Sequence, residues 1–175
     1  MKRARVGIMA AAVFAVAAVA FAQAKPDFSG TWTLDPEASG MAAPGGAPGG
    51  APAGTGGGGG RGGGGGALGA GPTTVKQTGD TLTIERTMGE NKVVTTYKLD
   101  GTESKNTMPG RGGGAPTEAV SVAKFDGGKL TITTKRDMGG QMVETTETWS
   151  VAGSVLTIES TGGRGPAKRV YKKTT

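Results

Sequence analysis

The chain has no cysteine and no histidine among its 175 residues. Their absence removes the thiol nucleophile, the imidazole general base and the commonest transition-metal ligands together. Catalysis would have to rest on carboxylates, hydroxyls or lysines. Glu144 and Glu147 are three apart on an expected strand and so face opposite sides, while Asp80, Asp100 and Asp126 stand in turn sequences where aspartate has a local reason to be. No carboxylate pair results, and the chain reads as non-enzymatic, with no catalytic residue, no metal site and no cofactor. Methionine alone can bind Cu(I), but only Met138 and Met142 are close in sequence. A convincing helical period is also missing after the first segment, which turns attention to strands.

Positive charge is scarcer than the formal +6 suggests. Met1 to Ala24 has the three-part layout of an export signal: a basic start (Lys2, Arg3, Arg5), an apolar run from Val6 to Ala22, and the small-x-small site Ala22-Gln23-Ala24. Cleavage is expected after Ala24, giving a periplasmic or secreted protein with no stable membrane anchor. The alternative is an anchor, for which a run of about 17 residues is at the short end. Without the signal, 17 basic residues against 14 acidic leave +3, too little and too dispersed to point to nucleic acid. The Gly-Arg-Gly-Gly fragments at Arg61 and Arg111 resemble arginine-glycine segments of RNA-binding proteins, but lack interleaved aromatics and read as solvated linker. An exported chain without cysteine must be held by its packed core.

Glycine is abundant but uneven: 18 of the 35 fall between Gly40 and Pro72. That segment cannot bury enough apolar surface to offset its ordering entropy and is expected to be a disordered insertion in a single domain spanning 25–175. Elsewhere apolar residues recur at every second position, the period of a strand with one buried face. Leu82 and Ile84, Val93 with Tyr97 and Leu99, Val120 and Val122, Leu130 and Ile132, Val143 with Trp149 and Val151, and Leu156 and Ile158 each share parity. Glycine-bearing turns separate them, among them Asp100-Gly101, Asp126-Gly127-Gly128 and Ala152-Gly153-Ser154. The expected fold is all-β: an up-and-down antiparallel meander of about ten strands, closed into a barrel because open edges invite aggregation.

Strand direction alternates in a meander, so each connection belongs to one end. The turns at Gly79, Asp100, Asp126 and Gly153 make a tight end. The Gly40–Pro72 insertion, Met88–Asn91, Met108–Pro116, Met138–Gln141 and Gly162–Pro166 make a loose one. All five methionines of the mature chain (Met41, Met88, Met108, Met138, Met142) fall at the loose end, with Arg61, Arg111 and Arg164. Flexible, polarizable thioethers suit a mouth for an apolar ligand, which makes Met88, Met108, Met138, Met142, Arg111 and Arg164 the candidate ligand-binding residues. Gap filling where strands run into loops is the other reading.

Asp27-Phe28-Ser29-Gly30-Thr31-Trp32-Thr33-Leu34-Asp35 resembles the opening of a lipocalin-like, calycin-type barrel, in which Gly-x-Trp begins the first strand and a long loop follows. Phe28 through Ser39 also resembles the start of uncharacterised exported bacterial proteins of that type. The resemblance implies a structural barrel floor of Gly30 and Trp32 with a basic residue of the last strand across the indole, Arg169 first and Lys168 second, at the tight end. It implies no activity. Ten strands exceed a typical lipocalin's eight, so a ten-stranded relative or a sheet that curls without closing also fits. The expected function is an exported binding protein for a small apolar or amphiphilic ligand held in the barrel. The alternative is a non-catalytic structural or interaction module of the cell envelope with a filled barrel and a protein or polymer partner.

Overall fold

The computed structural model describes residues 25–41, 68–69, 71–88, 91–109, 115–162 and 165–174. The expected signal, most of the glycine-rich insertion, and Arg61, Arg111 and Arg164 lie outside the described residues. The strands are β1 (Gly30–Asp35), β2 (Thr73–Gln77), β3 (Thr81–Met88), β4 (Asn91–Lys98), β5 (Asp100–Met108), β6 (Thr117–Asp126), β7 (Lys129–Asp137), β8 (Met142–Ala152), β9 (Val155–Gly162) and β10 (Ala167–Thr174). All pairings are antiparallel, in the order β4-β3-β2-β1-β10-β9-β8-β7-β6-β5. The fold is an all-β meander of ten strands that curls into a nearly closed barrel. Among the described residues there is no helix.

Local chemistry makes these strands. Thr, Val and Ile fill them, and left-handed glycines end them: Gly101, Gly127, Gly128 and Gly153 have φ of 85°, 54°, 80° and 59°, which a side chain would strain. Chain reversal after every strand puts consecutive turns at opposite ends, so the division into a tight and a loose end follows from the observed topology.

Two joins complete the ring differently. The first and last strands pair by a full ladder, Thr31 opposite Thr174 through Asp35 opposite Val170. Lys172 Nζ reaches Asp35 Oδ2 at 2.7 Å across it. Between β4 and β5 side chains replace the ladder. Asn106 Oδ1 accepts from the Thr96 amide and Asn106 Nδ2 donates to the Thr96 carbonyl, both at 2.9 Å. Ser104 Oγ accepts from the Lys98 amide at 2.8 Å. The β5–β6 register shifts between Asp100 and Glu103, at the start of β5.

The inward face follows the alternation, with one correction. On β6 it is Ala119, Ser121 and Ala123 that are buried, while Val120 and Val122 are half-buried on the outer face. Their cross-strand neighbours there are Lys105 and Lys135 for Val120, and Glu103 and Thr133 for Val122. Valine serves here as a strand former packed against neighbouring stems, and small residues are kept for the interior.

Candidate functional site: the barrel interior

The tight end is sealed by aromatics. The chain ahead of β1 folds across it: Gln77 Nε2 donates to the Pro26 carbonyl, and Gln77 Oε1 accepts from the Phe28 amide. Phe28 is thereby fully buried, edge-on to Trp149 at 5.8 Å and stacked on Phe125 at 6.4 Å. Trp32 is also fully buried and donates from Nε1 to the Phe28 carbonyl at 2.9 Å. Such aromatic contacts add to the area term and make a rigid floor.

The cation over Trp32 is Lys173, 5.5 Å from the ring. The register explains this: Trp32 stands directly opposite Lys173, whereas Arg169 stands opposite Ile158. Arg169 is four residues earlier on a strand that runs from the loose end to the tight end, about 13 Å of rise away. Lys168 has the opposite parity and is exposed. Expecting Arg169 near the end of the last strand placed the strand too early in the sequence; β10 continues to Thr174. Gly30 takes φ of 143°, and a Cβ there would run into the Lys173 stem, so the Gly-x-Trp glycine makes room for the lysine that covers the indole.

Above the floor the interior becomes polar. Leu82, Ile84, Leu130, Ile132, Leu156 and Ile158 line the walls. Further along the same inward faces toward the loose end come Arg86, Arg136 and Glu147, with Arg169 on β10. Glu147 is 5 % exposed and Arg169 9 %. Trp149 Nε1 donates to Glu147 Oε2 at 3.2 Å. Among the described residues, three guanidiniums and one carboxylate stand on these inward faces, a net positive set. Charges so deeply placed are stable only with partners and hydrogen bonds around them.

Two tyrosines report the same field. Tyr97, 1 % exposed, has its phenol pushed well above the usual value, first by burial and then by the Glu147 charge, with Arg86 opposing. Tyr171 is pushed up to about 12, again chiefly by burial, with Arg169 pulling down, Glu147 pushing up and Arg86 pulling down. Arg86 and Glu147 therefore act on both rings.

At the loose end two of the candidate methionines meet these arginines. Met108 Sδ accepts from Arg86 Nη2 at 4.0 Å, and Met138 Sδ from Arg136 Nη2 at 3.5 Å. Met88 ends β3 opposite Asn91. Met142 is 65 % exposed, because its neighbour Val143 takes the inward parity and leaves it on the outer face. Met142 therefore does not line the mouth. Arg111 and Arg164 lie outside the described residues.

A further interior occupant comes from the end of the glycine-rich insertion. Leu68 is 1 % exposed within the core, and its carbonyl accepts from the Tyr171 hydroxyl at 2.8 Å. Sequence reading missed Leu68, Arg86, Arg136 and Glu147. Each charged one had a signal: it shares parity with the apolar residues of its strand.

No family model and no curated protein matches the chain significantly. Several solved structures are similar to it. A mutant of the fluorescent protein UnaG is 24 % identical over 59 % of this chain and 71 % of its own, with a TM-score of 0.45. Fatty-acid-binding protein 1 of Echinococcus granulosus is 17 % identical over the same shares, also at 0.45. A secretory abundant heat soluble protein from Ramazzottius varieornatus is 21 % identical over 59 % of this chain and 70 % of its own, at 0.43.

Proposed function

We propose that this protein binds a small amphiphile inside the barrel, with an acidic head group toward the arginines and an apolar tail toward the aromatic floor. The observation that carries this reading is the polarity gradient of one enclosed surface. Its floor is Phe28, Trp32, Phe125 and Trp149, and among the described residues the inward faces of its other half carry Arg86, Arg136 and Arg169 together with Glu147. A filled barrel needs only apolar residues, whereas inward guanidiniums, that of Arg169 buried and those of Arg86 and Arg136 half-buried, suit an incoming anion. Met108 and Met138, adaptable and next to these arginines, suit the entrance.

Competition for a bound neutral dye, N-phenylnaphthylamine, tests this. Dodecanoate should displace the dye at far lower concentration than dodecylamine, with dodecanol between them. Equal potency of the acid and the amine would sink the head-group assignment, and absence of dye binding would sink the binding reading.

The alternative, a filled structural module of the envelope, draws support from Leu68 standing in the core. Export is part of the same proposal. Lys25 already lies 5.3 Å over the Phe125 ring, so the folded body uses the chain from the expected cleavage point onward. N-terminal sequencing of protein recovered from its native host should begin at Lys25; an intact leader would refute cleavage.

A further inference from the structure

We infer that Leu68 is a resident, displaceable occupant of the barrel and decides which ligands enter. The inference rests on the binding reading above. Leu68 is the one leucine of the glycine-rich stretch between Gly40 and Pro72, where the composition otherwise avoids bulky aliphatic residues. It is buried to 1 % and belongs to the same core cluster as Trp32, Leu82, Ile84, Tyr171 and the floor aromatics. Its neighbours differ from those of any wall residue. Gly69 and Gly71 follow it, and it belongs to no strand, so no ladder hydrogen bonds hold its backbone. Its carbonyl accepts from the hydroxyl of Tyr171, on the strand that carries Arg169.

A side chain held in this way behaves as a tethered apolar ligand. Burying one leucine biases the plugged state by roughly tenfold to a hundredfold. A ligand must overcome that bias, so its apparent affinity falls by the fraction of molecules with the site open. Ligands with a long apolar tail replace the lost leucine contacts and enter, whereas small polar anions do not, although the arginines would attract them. Leu68 thus converts a positively charged interior into one selective for amphiphiles.

The test uses the full mature chain and N-phenylnaphthylamine. Leu68→Ala should bind the dye about tenfold more tightly than the native chain. Because the alanine variant also loses core contacts, a second measurement keeps the inference falsifiable. In native protein with labelled leucine methyl groups, the Leu68 signal, identified by its absence from the variant, should move to its solvent-exposed position on saturation with dye, while Leu82 and Leu156 stay buried. Dye binding with Leu68 unmoved, or unchanged or weaker affinity in the variant, would overturn the plug and leave the binding reading standing. No dye binding by either protein would overturn both.

Discussion

Glu147 is the residue on which the interior balances. It is the buried carboxylate among three inward arginines and accepts from the Trp149 indole. Glu147→Gln keeps the shape and removes the buried negative charge from an interior whose inward faces carry three guanidiniums. Urea unfolding should show a loss of about 3–5 kcal/mol, while Glu144→Gln, whose exposed carboxylate faces Lys135 at 3.5 Å, should change stability by about 0.5 kcal/mol or less. The tyrosines give a second check, since the chain has only two and both are buried. An acid whose folded pKa is raised stabilises the fold fully below its unfolded pKa of 10, and that contribution is lost as pH climbs toward 12 for Tyr171. Absorbance titration of the native protein should therefore show little phenolate at pH 10 to 11, where the urea-unfolded chain ionises. Early ionisation would mean that the barrel is open to water at both rings.

At the scale of the strand, the weakest join is the one between β4 and β5, where Asn106 and Ser104 stand in for backbone partners. Asn106→Ala removes both bonds to Thr96 and should cost about 1–3 kcal/mol. Hydrogen exchange should show the Thr96 amide losing protection while amides of the β7–β8 ladder keep theirs. Unchanged exchange at Thr96 would show that the seam is held by something else. Strand number, order and turn positions were legible in sequence because glycine at positive φ and period-two alternation are local properties. The facing of β6 was not. Valine wins on a strand's outer surface for the same reason as on its inner one, so Val120 and Val122 misled where Ala119 and Ala123 mark the interior. The charged half of the site was legible in principle, since Arg86 continues the parity of Leu82 and Ile84, and Arg136 that of Leu130 and Ile132. Lys173 over Trp32 and Leu68 beneath Tyr171 depend on register and on a chain entering from outside any strand. Neither leaves a local pattern.

For the molecule as a whole, the two joins of the ring sit oppositely in sequence. β4 and β5 are consecutive yet lack a ladder, while β1 and β10, at the two ends of the chain, share one. Gly30 and Thr174 both lie at the tight end, so the start of the first strand and the end of the last are neighbours in space. The native topology can therefore be rewritten as a circular permutant: a short linker from Thr175 to Lys25, with new termini between Leu99 and Asp100. In that chain every laddered pair is consecutive, and the seam becomes the place where the polypeptide begins and ends. The entropy of closing the longest loop falls away, so the permutant should refold faster than the native order while unfolding at a similar urea concentration. Slower refolding in stopped-flow fluorescence would mean that β1 and β10 meet early, and that the barrel assembles outward from its own chain ends.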